Sequence, residues 1–164
     1  MRSSSARPGF ARPGRPTVLG WAFVAVQFVL LAALLSELIT SKRRGLLTST
    51  AGFLVAGTGL TILGAASMKL GGKLRAHPAP PDGAMLHTDG LYSYVRHPIY
   101  SGLLLFSAGI ALIARTPRAT VSFLALTALL NAKARFEERL LTGRFPTYRA
   151  YADRTPRLIP RHRR

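Results

Sequence analysis

The sequence contains no cysteine. That excludes a disulfide framework, a thiolate metal site and a cysteine nucleophile, and it leaves the compartment open. Acids are also scarce: six Asp and Glu stand against 23 Lys and Arg in 164 residues, a formal charge of +17. Strand signals are poor, and no repeat period is evident. The charge alone would suit a nucleic-acid binder or a basic disordered tail. A disordered tail is poor in apolar residues, whereas 48% of this chain is hydrophobic and its mean hydropathy is +0.21. Basic nucleic-acid binders lack long uncharged apolar runs, and this chain has several, so no nucleic-acid partner is expected. The length allows one domain, with room for a tail.

The uncharged runs set the architecture. Val18 to Ser36 gives 19 residues and Leu46 to Met68 gives 23, each enough for a helix across a bilayer core of about 30 Å. Pro98 to Ala114 gives 17 and Ala119 to Ala132 gives 14. Thr116-Pro117-Arg118 between these two reads as a tight turn, so they form a helical hairpin. Taken alone, the hairpin would also suit a soluble helical core. With the first two runs beside it, the chain reads as an all-α integral membrane protein of about four transmembrane helices, near 17–40, 46–68, 98–115 and 119–141. Residues 1–16, with Arg2, Arg7, Arg12 and Arg15 among Pro and Gly, read as a disordered basic arm. The run after it is longer than the apolar part of a signal peptide and no clear cleavage site follows, so it reads as a retained helix. The rest, 17–164, is one membrane domain ending in a segment at 142–164. Gly57-Thr58-Gly59, with Gly52 and Gly64 nearby, suits close helix packing through small residues.

Four helices put both termini on one side. That side then holds 18 positive charges against five (Lys42, Arg43, Arg44, Arg115, Arg118) on the other. The bias of Lys and Arg towards the cytoplasm makes both termini cytoplasmic. The 71–94 connection holds His77-Pro78-Ala79-Pro80-Pro81-Asp82-Gly83, which cannot be helical throughout, and a long loop tied between membrane helices is a usual place for function.

Each acid can be weighed by itself. Asp82, Asp89 and Asp153 stand in turn-like contexts. Glu37, near the end of the first run, suits the interface or a pair with Lys42 or Arg43. Glu137-Glu138 follows the fourth run. Lys133 lies at i,i+4 from Glu137 and Arg135 at i,i+3 from Glu138, so two surface ion pairs are one reading. The other is a ligand site, since a carboxylate accepts hydrogen bonds from a diol or holds an ammonium. The densest polar stretch runs from Thr88 to Gly102. Asp89-Gly90 is a turn signal. Pro98 suits the first position of a helix, which puts His97 at the N-cap of the third apolar run, where free N–H groups and the positive dipole end attract an anion. Tyr94 and Tyr100 are expected at the interface.

Several of these residues together resemble a known pattern. Gly90-Leu91-Tyr92 and Arg96-His97-Pro98-Ile99-Tyr100-Ser101-Gly102, then Glu137-Glu138 with Leu141, Phe145, Tyr148, Tyr151 and Pro156, follow the order and spacing of the isoprenylcysteine carboxyl methyltransferase family and of the wider group that includes phospholipid N-methyltransferases. The resemblance implies a membrane methyltransferase that uses S-adenosylmethionine, with a cytoplasmic cofactor pocket formed by the 71–100 connection and the C-terminal segment. It implies cofactor contacts from His97, Pro98, Ile99, Tyr100 and Tyr92, from the stretch Ala84, Met85, Leu86 and His87, and from Glu137 or Glu138. Lys133 or Arg135 would position substrate. Gly57-x-Gly59 resembles a glycine pair that phospholipid methyltransferases use together with two Glu residues.

On that basis His97 and the helix start would hold the cofactor's carboxylate, and the Glu pair its ammonium or ribose hydroxyls. No acid, base or metal is assigned. The acceptor is a lipophilic or prenylated molecule in the bilayer, and a bacterial plasma membrane is the default location, with oligomeric state left open. Two other readings stand beside this one: an NADPH-dependent enzyme like the sterol reductases, which carry a similar His-Pro block, and a non-catalytic basic protein that binds anionic lipid.

Overall fold

The apolar runs become helices. The computed structural model describes residues 18–41, 45–71 and 86–161. The basic arm at 1–16, the Lys42-Arg43-Arg44 cluster, the His77–Gly83 stretch and Ala84-Met85 lie outside the described residues. Helix α1 is Val18–Thr40 and α2 is Leu46–Leu70. Gly71 ends α2 at φ 55°, and its N–H turns back to the carbonyls of Met68 and Ser67. A side chain there would be strained, so glycine sets the stop. A four-residue turn of helix, α3 (Leu91–Tyr94), follows Gly90 at φ 59°. The long helices α4 (Pro98–Ala114) and α5 (Pro117–Arg144) come next, and then the short α6 (Tyr148–Arg154). Among the described residues there is no strand.

The hairpin turn is tighter than the sequence suggests. Only Arg115 and Thr116 link α4 to α5, Pro117 already being the first residue of α5. Thr116 Oγ1 accepts the Ala119 N–H at 3.1 Å, an N-cap. At the same end Thr116 donates to Glu37 Oε2 at 2.6 Å, and Ser41 donates to the Ala114 carbonyl at 2.5 Å, which pins α1 to the hairpin.

Helix α4 is the hub. It packs on α1, α2 and α5, while α1 packs on α5 and hardly meets α2. The tightest seam is α2 against α4, running antiparallel: a Cβ on Gly102 would stand 2.7 Å from the Gly59 carbonyl, and one on Gly109 would stand 2.5 Å from that of Gly52. The core lies between α4 and α5, where Leu103, Leu126, Leu130 and Ala134 meet Tyr100 and Leu158.

Helices α1 and α2 are each long and apolar enough to cross a membrane; α4 is a shorter apolar helix. Both long helices turn apolar side chains outward, including Trp21, Phe28, Phe53 and Leu54, each more than half exposed. Faces of that size on a soluble monomer would be an aggregation liability. In α5 the charge-free stretch ends at Ala132, and the turns from there to Arg144 form a charged extension carrying the Glu pair.

Candidate functional site

His97 is the N-cap of α4 and Pro98 its first residue. The turn before it is fixed by the C-terminal segment. Arg96 and His97 donate their backbone N–H groups to the carbonyls of Pro156 (2.9 Å) and Arg157 (3.1 Å), and Ser101 Oγ donates to the Leu158 carbonyl at 2.6 Å. Helix α6 docks beside it: Tyr151 donates its hydroxyl to the Tyr92 carbonyl at 2.6 Å, and Arg96 Nη1 donates to the Ala152 carbonyl at 2.8 Å. Residues 155–158 thus act as a strap across the start of α4.

The charged extension of α5 delivers both glutamates to this strap. The His97 ring is 8% exposed and lies between them: Nε2 donates to Glu138 Oε1 at 3.2 Å, and Nδ1 faces Glu137 Oε2 at 3.4 Å. A ring with both nitrogens on carboxylates is best satisfied as the imidazolium. Burial opposes that charge, but the hydrogen bonds to Glu137 and Glu138 outweigh it and hold the pKa above 6.5. Glu138 also accepts a two-toothed contact from Arg157 (Nε 2.9 Å, Nη2 2.7 Å) and faces Arg96 Nε at 3.2 Å. Burial raises its pKa, yet the hydrogen bonds from His97 and Arg157 and the charge of Arg96 bring it down to about 2. Glu137 accepts the Tyr100 hydroxyl, and the rings of Tyr100 and His97 stack in parallel, centroids 5.3 Å apart.

These shifts fix the pH response. Glu138 has a depressed pKa, so its stabilisation is full above 4.5 and fades as pH falls through about 2. His97 has a raised pKa, so its stabilisation is full below 6.5 and fades as pH rises through the folded value. Melting temperature in detergent should therefore be highest between 4.5 and 6.5. The alkaline decline should vanish in His97→Gln; a decline of equal size in that variant would show that His97 is not its source.

A cavity of about 500 Å³ opens beside the cluster, within the usual size for a small-molecule site. One wall carries His87, Tyr92, Arg96, His97, Tyr100, Glu137, Tyr148 and Tyr151. The other is mainly apolar, with Phe28 and Leu31 from α1, Leu63 and Leu70 from α2, and Leu103 from α4, and with Gln27 and Ser67 among them. This part of the lining is shared between α1 and α2, two helices that hardly touch each other.

Of the candidate cofactor and substrate residues, Leu86, His87, Tyr92, His97, Pro98, Ile99, Tyr100, Lys133 and Glu137 line the cavity, and so do Arg96, Leu141, Tyr148 and Tyr151 of the shared pattern. Glu138 does not; it stands behind His97, tied to the arginines. Arg135 is exposed and also lines no part of it. The local pairs Lys133–Glu137 and Arg135–Glu138 do not form, because both glutamates turn to partners far along the chain. His97 does not offer its ring to an anion, since Glu137 and Glu138 engage both nitrogens. Gly59 belongs to the α2–α4 seam, Gly57 meets nothing within 4 Å, and neither lines the cavity.

Three further residues complete the site, of which the sequence marks only Tyr148, through the pattern it shares with the methyltransferases. Gln27 of α1 accepts from the fully buried Lys133 ammonium at 2.9 Å; a lone amide in an apolar run is the available signal. Tyr148, 2% exposed, lines the cavity, and its hydroxyl has no hydrogen-bond partner among the described residues. Arg157 is one of ten basic residues from Lys133 onward, and nothing local marks it.

An all-helical bundle with two helices long and apolar enough to cross a membrane, and a cavity lined by both polar and apolar side chains, fits the class of membrane proteins. A profile of the phospholipid methyltransferase family matches residues 41–147, about two thirds of the chain. The chain belongs to the phospholipid methyltransferase family, a family of membrane methyltransferases that generally use S-adenosylmethionine. It is also similar to the cobalt-zinc-cadmium resistance protein CzcN of Cupriavidus metallidurans, 39% identical over 77 residues, 46% of this chain. The matched stretch covers 36% of that protein's length.

Proposed function

We propose that the protein transfers a methyl group from S-adenosylmethionine to a lipophilic acceptor at the cytoplasmic membrane interface, in the manner of the isoprenylcysteine carboxyl methyltransferases. The observation that carries this reading is the two-faced cavity, polar at the Glu137–His97–Tyr100 cluster and mainly apolar where α1 and α2 line it. In this reading α4 and the apolar part of α5 also lie in the membrane, making four spans, and the excess of basic residues on the side of the termini orients that side to the cytoplasm.

The residues present fit the cofactor. Glu137 presents a carboxylate to an ammonium or a ribose diol, and Tyr148 has an unused buried hydroxyl. Arg96 adds a cation suited to a carboxylate, and Leu86, His87, Tyr92 and Ile99 offer flat or apolar surface to a base. When bound, S-adenosylmethionine supplies an already activated methyl group, so alignment and exclusion of water matter more than acid–base chemistry.

Lys133 is placed for the acceptor. Its ammonium is 1% exposed, bonds to Gln27 and lies 5.3 Å from the Tyr100 ring centroid, and no carboxylate stands within 4.0 Å among the described residues. Glu137 acts on it only from beyond ion-pair distance, and a buried cation with no carboxylate in contact favours an anionic acceptor such as a carboxylate and disfavours a protonated amine.

The test is incubation of the purified protein with methyl-labelled S-adenosylmethionine and native membrane extract, with identification of the labelled lipid. A labelled lipid ester is the expected product. Lys133→Met should raise the acceptor KM about tenfold or more, leaving cofactor affinity in place and the melting temperature no lower. A melting temperature raised by NADPH and untouched by S-adenosylmethionine would overturn the reading in favour of a reductase.

A further inference from the structure

A second recess lies on the outer side of the strap. It has a volume of about 1020 Å³ and is lined by four arginines, Arg96, Arg154, Arg157 and Arg161, against one acid, Asp153. Arg96 and Arg157 are held from behind by Glu138. Arg154 and Arg161 are exposed, and among the described residues neither has an ion pair. The recess begins at Ser93, five residues before α4 starts, which on the four-span reading proposed above is the level where the chain enters the bilayer. Tyr94 on its wall and Ile159 on the strap beside it are 66% and 78% exposed, an aromatic and an aliphatic side chain turned outward at that level. Guanidinium groups that converge on one recess suit a phosphate, which they meet with paired hydrogen bonds. An apolar rim on a basic recess suits a phosphate that arrives attached to acyl chains.

We propose that this recess binds the phosphate of an anionic membrane phospholipid, and that the bound headgroup steadies the strap and, through Arg96, the wall of the cavity. The coupling is in the contacts. Arg96 lines both the recess and the cavity. Residues 156 and 157 hold the backbone of Arg96 and His97, so a headgroup that gathers Arg154 and Arg161 towards Arg96 stiffens the same strap from outside. By linkage, an occupant that favours the ordered strap raises affinity for a ligand that needs Arg96 and His97 held in place, and the reverse.

The full chain in bilayer discs of phosphatidylcholine is compared with discs containing phosphatidylglycerol, at fixed salt. Phosphatidylglycerol should raise the melting temperature and tighten S-adenosylmethionine binding about three- to tenfold, a part of the roughly thirtyfold that two arginines near an anionic surface can supply. The double variant Arg154→Gln/Arg161→Gln should lose both effects. The control Arg139→Gln/Arg149→Gln, which removes the same charge from exposed positions outside the recess, should keep them. Equal loss in the control would reduce the effect to general attraction and overturn the site. Reproduction of the effect by millimolar inorganic phosphate in phosphatidylcholine discs would overturn the lipid as its occupant, and so would indifference of the parent protein to lipid charge. The melting temperature reports on the recess even if the protein transfers no methyl group, so failure here and failure of the proposed reaction are separable.

Discussion

Replacing Glu138 with Ala should destabilise the protein by roughly 3 kcal/mol, the low end of the usual cost of removing one partner from a buried ion pair. The carboxylate serves three cations at once, His97, Arg96 and Arg157. Its removal leaves Arg96, 12% exposed, without its carboxylate partner, and His97, 8% exposed, with Glu137 alone. The strap should loosen, since Arg157 is anchored to α5 through this contact alone among those described. Glu137→Gln should behave differently. Glutamine keeps the size and can still accept from Tyr100, so stability should fall by only about 1 kcal/mol, while affinity for S-adenosylmethionine falls about tenfold or more because the carboxylate that faces the cavity has lost its charge. Thermal melts paired with cofactor titration in detergent separate the two. If Glu138→Ala lost cofactor affinity with an unchanged melting temperature, the assignment of Glu138 to structure and Glu137 to ligand would be reversed.

The contrast between these neighbours shows what a linear sequence can and cannot display. The long helices were legible, because a charge-free run of this length has few other ways to satisfy its backbone in a bilayer. The N-cap position of His97 was legible too, from the proline after it. The short helices α3 and α6 were not. A helix of four or seven residues is not stable by itself, and these two exist because Tyr151, Arg96 and the strap hold them in place. The electrostatic partners were hidden for a related reason. Local spacing offered Lys133 to Glu137 and Arg135 to Glu138, but Lys133 turns inward to α1 and Glu138 outward to Arg157. One arginine among ten basic residues carries no mark of being the one a buried carboxylate selects. His97 shows the limit most clearly. Its position suggested an anion-binding ring, and the fold supplies the anions from the protein itself.

The glycines of α2 and α4 carry the other large expected effect. A Cβ on Gly59 would approach the Gly102 carbonyl to 2.6 Å, and one on Gly102 would approach the Leu63 amide nitrogen to 2.6 Å. Both obstacles are backbone atoms, so no side chain can rotate aside and the helices themselves must separate. Gly59→Ala and Gly102→Ala should each cost about 1–3 kcal/mol, the usual range for overpacking, and the corresponding leucine variants should cost more. Gly57 and Gly64 lie in the same helix with nothing within 4 Å. There alanine should be neutral or stabilising by about 0.5–1 kcal/mol, because it removes backbone freedom at no steric cost. The effect on the site comes from geometry. Leu63, Ser67 and Leu70 of α2 face the first turns of α4 across the cavity, so a wedge at Gly59 or Gly102 widens it. Affinity for S-adenosylmethionine should fall in those two variants and hold in Gly57→Ala and Gly64→Ala. Equal tolerance of alanine at all four positions, in melts and in titrations, would mean that the seam does not set the spacing of the cavity walls.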